Sequence, residues 1–283
     1  MKLLVDGGST KADWIAIDDS GKVLFTTQTL GLNPEVLDKE EILERLADKF
    51  DISHNRSKAK QLYFYGAGCG TARMKNYLAE IFQEYFVNAE IAVFEDTYAA
   101  VYATTPKDEK AIVCILGTGS NCSYFDGKTL HQEVQSLGYI AMDDGSGNRF
   151  GRLLLRGYFF NKMPIELAAE FEEEYNLDAD VVKSNLYKEP NPNAYLATFA
   201  KFIIKYKENP YCKRIIYREL TKFVKNYIMQ YENYQEVPVH FVGSIAFYLK
   251  EELEEILAKF EIKTGNVLRR PIDGLIAYHI LNN

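Results

Sequence analysis

Two short runs constrain this chain more than any other feature. Asp6-Gly7-Gly8-Ser9-Thr10 and Gly117-Thr118-Gly119-Ser120 each follow directly on an apolar stretch, Leu3-Leu4-Val5 and Ala111-Ile112-Val113-Cys114-Ile115-Leu116. After each turn an apolar pattern resumes, at Trp14-Ile15-Ala16-Ile17 and at 121–125. That pattern reads as a strand, a glycine turn and an antiparallel return strand. With an offset of 110, Gly7 falls on Gly117, Thr10 on Ser120 and Trp14-Ile15 on Tyr124-Phe125. A chain that opens twice with the same element order is expected to build two related α/β halves.

The remaining pattern agrees with this. A turn at Asp18-Asp19-Ser20-Gly21-Lys22 leads to a third strand at 23–27, completing an antiparallel meander. Helical spacing of Ile42, Leu43, Leu46 and Phe50 predicts one helix over 38–50. A strand at 62–65, the turn Gly66-Ala67-Gly68-Cys69-Gly70 and a helix carrying Met74, Leu78, Ile81, Phe82 and Tyr85 follow. A strand at 91–94 precedes a helix through Ala103. Residues 146–231 read as mostly helical, punctuated by Pro164, Pro190, Pro192 and Pro210. A late strand at 238–242 ends in Gly243-Ser244, one helix runs on to about Phe260, and Pro271 opens a last apolar helix. The domains expected are 1–106 and 107–270, with the final helix, 271–283, packing back on the first.

Composition narrows the function. A net charge of −7 disfavours nucleic acid as a partner, because phosphate backbones require a dense basic surface. The leading apolar run, Leu3-Leu4-Val5, is far shorter than a signal peptide or a membrane span requires. A cytoplasmic, thiol-reduced protein with no membrane partner is therefore expected. Cys69, Cys114, Cys122 and Cys212 form no CxxC pair, and His54, His131, His240 and His279 show no ligand spacing. The abundant aromatics, such as Phe199, Phe202 and Tyr206, fall at helical spacing and read as core.

The glycine turns are where chemistry is expected. A phosphate chain needs backbone N–H groups at close range, which glycine permits, together with hydroxyl donors. Each turn offers both, although either alone is also an ordinary β-turn. No GxxxxGK[ST] run and no strand-to-helix GxGxxG is present. Asp6 suits either a Mg²⁺ site reached through water or a turn-forming aspartate. Asp96 suits either a helix cap or a catalytic carboxylate.

These segments, taken together, resemble a known family. Leu3-Leu4-Val5-Asp6-Gly7-Gly8-Ser9-Thr10-Lys11 is similar to the first phosphate loop of the actin/hexokinase-like superfamily. Ile115-Leu116-Gly117-Thr118-Gly119-Ser120-Asn121-Cys122 resembles the second phosphate loop of its N-acetylglucosamine kinase and BadF/BadG-type ATPase branch. Leu137-Gly138-Tyr139-Ile140-Ala141-Met142-Asp143-Asp144-Gly145-Ser146 resembles that branch's Gly-Trp-Gly-x-x-x-Gly-Asp-Glu-Gly-Ser segment, and His240-Phe241-Val242-Gly243-Ser244 its adenosine turn. The markers stand in family order along the whole chain.

The resemblance implies two actin-like (ribonuclease H-like) α/β domains flanking a nucleotide cleft, and ATP with Mg²⁺ as cofactors. It implies nucleotide contacts at Gly8, Ser9, Thr10, Lys11, Gly117, Thr118, Gly119, Gly243 and Ser244, and the metal at Asp6. Asp96 becomes the catalytic base, while Asn33, Asn121 and Asp143 bind an amino sugar phosphorylated on its 6-hydroxyl. Family habit and the helix-rich second half point to a homodimer. The sequence departs from the family pattern at Met142 (usually glycine), Asp144 (usually glutamate) and Gly147-Asn148-Arg149-Phe150-Gly151. Tyr139 and Met142 are the residues expected to reshape the pocket around the sugar's 2- or 3-substituent. The rival readings are a BadF-like activator ATPase, with Cys69 in an exposed turn as its lone cluster ligand, and a nucleotide or sugar sensor without turnover.

Overall fold

The structure, a computed structural model, describes residues 1–8 and 11–281. The chain forms two compact units, 1–107 with 270–283, and 108–269.

In the first unit the order is β1 (Lys2–Gly7), β2 (Lys11–Ile17), β3 (Val23–Leu30), α1 (Lys39–Ala47), α2 (Phe50–Asn55), β4 (Gln61–Gly66), α3 (Ala72–Tyr85), β5 (Glu90–Glu95) and α4 (Asp96–Thr104). The second unit runs β6 (Ala111–Leu116), β7 (Ser120–Phe125), β8 (Leu130–His131), α5 (Gly147–Phe159), α6 (Ile165–Glu174), α7 (Ala179–Tyr187), α8 (Pro192–Thr198), α9 (Ala200–Lys205) and α10 (Pro210–Asn226). It continues with β9 (Val239–Val242), α11 (Ser244–Tyr248), α12 (Lys250–Lys259) and β10 (Thr264–Leu268), after which α13 (Ile272–Leu281) returns to the first unit.

The two sheets share one topology. Spatial order is β3-β2-β1-β4-β5 in one and β8-β7-β6-β9-β10 in the other. In each, the first three strands are antiparallel and the last two run parallel to the first. The repeat read from the glycine turns is thus a repeat of whole sheets. Parallel strands need crossover connections, and α1 with α2, then α3, then α5–α10, then α11 with α12 lie in them.

Each sheet buries apolar side chains against its helices. Trp14, Phe64, Phe82 and Phe86 fill the core of the first unit, with Ile42 and Leu46 of α1 and Ile52 of α2. On the opposite face Leu4, Ile17, Tyr65 and Ala99 pack with Ile272 and Leu275 of α13. The second unit's larger core joins Ile112, Cys114 and Phe241 of the sheet to Phe150, Phe171, Phe202 and Phe223 from its helices.

Several elements depart from expectation. The helix expected over 38–50 is a capping-box helix, closed by Asp38 and Glu41, that stops at Ala47 before α2 begins. The helix after Gly243 is likewise broken, at Leu249. β10 has no counterpart in the sequence reading, which assigned nothing between about Phe260 and Pro271. There a Cβ on Gly265 would lie 2.2 Å from His240 Nδ1, and Asn266 N–H donates to that nitrogen at 2.8 Å. Cys69, expected in an exposed turn, is fully buried, as are the other three cysteines. Among the described residues no helix is long and apolar enough to cross a membrane.

Candidate functional site

In the first unit, β1 delivers Asp6 to the glycine turn. A Cβ at Gly7 would lie 2.3 Å from Phe64 Cζ, so packing under the turn requires glycine there. Gly8 N–H closes the hairpin on the Lys11 carbonyl at 2.9 Å. Ser9 and Thr10, expected to contact phosphates, lie outside the described residues. Lys11 is exposed and paired with Asp13 at 2.9 Å.

Asp6 lies in an acidic setting. Burial, followed by the negative charges of Asp13 and Asp96, pushes its carboxyl up to about 7, against the pull of Lys11 and Arg270. Burial also raises Asp96, with the N–H groups of Thr97 and of Asp96 itself opposing the shift. Asp96 is not the cap of α4. It is the first helical residue, and Glu95 holds the cap position without a side-chain bond. Asp96 thus lacks the N-cap position, although its carboxylate still accepts from backbone N–H groups at the head of the helix. Among the described residues no three His, Cys, Asp or Glu side chains group closely enough to hold a metal ion directly.

Asn33 stands in the loop after β3. Its Oδ1 accepts from Glu35 N–H at 2.9 Å, and a Cβ on Gly68 would lie only 2.0 Å from that oxygen. Gly68, at φ +80°, therefore allows the 66–70 turn to close against Asn33-Pro34. Asp96, Glu95 and Glu35 all act on the Cys69 thiol, which burial pushes up to about 12. Asn33, this turn and Asp96 thus share one neighbourhood of the first unit.

In the second unit, Gly117, Thr118 and Gly119 link β6 to β7. Gly147 N–H donates to the Gly117 carbonyl at 2.8 Å, and Asn148 N–H to the Thr118 carbonyl at 3.0 Å, so the start of α5 grips the loop. Asp143 sits behind it, almost fully buried, and accepts from Asn148 Nδ2 at 2.7 Å and from Ser120 N–H at 3.4 Å. A Cβ on Gly119 would lie 2.9 Å from Asp143 Oδ2, whereas one on Gly117 would meet nothing within 4 Å. Asn121, on the neighbouring strand, accepts from Ser123 Oγ at 3.2 Å and does not bond Asp143. Gly243, at φ +125°, lets the turn after β9 approach the loop, since a Cβ there would lie 2.2 Å from the Leu116 carbonyl oxygen.

Beside this loop lies a cavity of about 460 Å³. Gly117, Thr118, Gly147 and Ser244 line one part, and Ala197, Ala200, Ile204, Ile245, Tyr248, Lys201 and Arg269 the rest. Gly117, Thr118 and Ser244 are therefore brought together, as expected. Lys201, Tyr248, Arg269, Gly147 and Asn148 were not foreseen. Ser146, where the helical stretch was read to begin, caps α5, its Oγ accepting from Arg149 N–H at 3.3 Å.

The departures from the family pattern face the protein's own packing. Met142 packs on the core, and its sulfur accepts from Leu137 N–H. Arg149 Nε donates to the fully buried Glu219 at 2.8 Å. Burial alone would raise the Glu219 carboxyl, but bonds from Arg149, Arg218 and Lys222 hold it below its ordinary range. The Arg149 charge is thereby matched within the fold.

The sequence profile of the BadF/BadG/BcrA/BcrD ATPase family matches residues 5–273. No curated protein matches at a significant level. Among solved structures, a Porphyromonas gingivalis protein proposed to be an N-acetylglucosamine kinase is 35% identical, covering 100% of this chain and 99% of that one, with a TM-score of 0.92. A Chromobacterium violaceum protein proposed to have the same activity is 15% identical, covering 98% of each chain, with a TM-score of 0.71. A Streptomyces griseus glucokinase of the ROK family, solved with glucose and AMPPNP, is 14% identical, covering 99% of this chain and 98% of that one, with a TM-score of 0.57. The last two show the fold alone: α/β, with two actin-like domains.

Proposed function

The chain belongs to the BadF/BadG/BcrA/BcrD ATPase family, and from that premise we propose that it is an ATP-dependent sugar kinase acting on the 6-hydroxyl of an amino sugar, N-acetylglucosamine or a related hexosamine. The observation that carries the reading is the cavity at the second glycine loop. Open space faces Gly117, whose own N–H is turned to the Gly119 carbonyl at 3.0 Å, so the N–H groups of Thr118 and Gly119 are the ones that would meet phosphates. The walls beyond are mostly apolar, with Lys201 and Arg269 among them. The full-length likeness to the P. gingivalis protein supports the choice of acceptor.

The remaining roles follow from the chemistry of each group. Asp96 would accept the proton of the sugar hydroxyl as the phosphoryl group arrives; its raised carboxyl brings it nearer the pH of the reaction than an ordinary aspartate. Asn33 and Asn121 would bind sugar hydroxyls. Asp143 Oδ2 is held by Asn148 at 2.7 Å, whereas Oδ1 accepts only the long 3.4 Å bond from Ser120 N–H and would be the oxygen that meets the sugar. Asp6 suits a divalent cation, because like charge from Asp13 and Asp96 gathers around it and a cation relieves that. Mg²⁺ held there through water would neutralise charge on the phosphates.

A coupled assay of ATP consumption against glucose, glucosamine, N-acetylglucosamine and N-acetylmuramic acid tests the reading. An amino or N-acetylated sugar is expected to exceed glucose by at least roughly 10² in kcat/KM, since a site built to pair a polar group rejects its absence strongly. Comparable rates on all four would remove the amino-sugar assignment, and no turnover on any would remove the kinase.

A further inference from the structure

The cavity beside Gly117 and Thr118 has chemically different ends. Its phosphate-facing part is glycine and hydroxyl, whereas the far walls are Ala197, Ala200, Ile204 and Ile245. Tyr248 stands among them, 41% exposed, with the Arg269 guanidinium 5.5 Å from its ring centroid. Such a ring, its electrons drawn toward a cation on one side, is a stacking surface for a flat heterocycle.

The lining contains no carboxylate and no carboxamide side chain. These are the side chains best suited to read a purine's 6-position, because a carboxylate accepts from a 6-amino group and a carboxamide pairs with one pattern of donors and acceptors. The polar side chains present are hydroxyls, which rotate to donate or accept, and two cations. Lys201 is exposed and has no hydrogen bond or ion pair among the described residues. A cation donates to N7, which every purine carries.

We propose that this cavity selects a purine ring by stacking and apolar contact without reading its 6-substituent, so that ATP, GTP and ITP serve alike as phosphoryl donors. The proposal rests on the nucleotide reading of the same cavity. Its physical basis is the asymmetry of selection. Apolar walls distinguish ligands of different size by about 10- to 200-fold, whereas a dedicated hydrogen bond rejects the wrong partner by about 10⁴ or more. A pyrimidine leaves part of the wall uncovered and should bind more weakly.

Calorimetric titration of the full chain with ATP, GTP, ITP and CTP, each with Mg²⁺, tests this without knowledge of the acceptor. The three purine nucleotides are expected to agree within roughly tenfold, and CTP to bind roughly tenfold or more weakly. Tyr248→Ala is expected to weaken all three purines together by roughly tenfold, leaving their ratios unchanged, and Tyr248→Phe to restore them. Because Tyr248 is partly exposed, neither variant empties the core. ATP binding roughly 10³-fold tighter than GTP and ITP would overturn the proposal and leave the nucleotide site standing. Equal affinity for CTP would overturn the purine selection, and failure of every nucleotide to bind would remove both readings.

Discussion

The Asn148 amide holds the Asp143 carboxylate at 2.7 Å and spends its other hydrogen on the Thr118 carbonyl, also at 2.7 Å. One buried side chain thereby ties the carboxylate to the loop proposed to carry phosphate. Asn148→Ala would leave the buried Asp143 Oδ2 without its donor, a loss of about 1–3 kcal/mol for such a group, while the Thr118 carbonyl would keep the backbone N–H of residue 148 at 3.0 Å. The melting temperature is expected to fall by several degrees, and nucleotide affinity by roughly tenfold as the loop loosens. Thermal melts and calorimetry check the two effects, and unchanged nucleotide affinity in a folded variant would detach Asn148 from the site.

Asp96→Asn separates chemistry from binding. The amide keeps the shape of the side chain but does not accept a proton, so turnover is expected to fall by roughly 10²–10⁴ while ATP and sugar affinities stay within a few-fold. Steady-state kinetics alongside calorimetry decide the matter. Surviving turnover would mean that Asp96 only begins α4.

His279 predicts an acid limit to stability. It is buried against Tyr65, whose hydroxyl lies 2.8 Å from Nε2, and Lys2 donates to its backbone carbonyl at 3.1 Å. Burial, then the charge of Lys2, lowers the imidazole to about 4 from an ordinary 6.5. The folded state therefore holds the ring neutral, so its contribution is whole above pH 6.5 and is lost as pH falls toward 4. His279→Gln removes the titration. Its melting temperature is expected to drop less between pH 7 and pH 5 than that of the parent chain, and equal slopes would show that the ring is protonated without cost.

The legibility of the molecule follows from where its signals sit. The two glycine turns were visible because each interrupts an apolar strand, and their repeat carried the two-sheet topology with it. β10 was not visible: Gly265 is required by the His240 ring above it, a neighbour distant in sequence. The breaks at Asp48-Lys49 and Leu249 were hidden because neither carries glycine or proline to mark the end of a helix. Of the site, loop residues were legible and wall residues were not. Tyr248 and Ile204 lie on helices where an apolar side chain reads as core, and Arg269 follows the strand that went unread.

Asp6 gives the prediction with the most distinctive sign. Its carboxyl is raised from 3.8 to about 7, first by burial and then by Asp13 and Asp96. Between those two values the folded chain holds a proton that the unfolded chain has released, so this group makes stability fall as pH rises from about 4 to 7. Asp6→Asn carries no charge at any pH. It is therefore expected to melt several degrees above the parent chain at pH 8, with the gap closing toward pH 4. A cation requires the carboxylate, so the tightening of ATP binding by Mg²⁺ should grow as pH rises through 7 in the parent and be largely absent in Asp6→Asn. Melting curves and titrations at pH 6 and pH 8, with and without Mg²⁺, separate the two claims. A melting gap independent of pH would place the proton elsewhere, and Mg²⁺-dependent binding retained in the asparagine variant would place the ion on other groups.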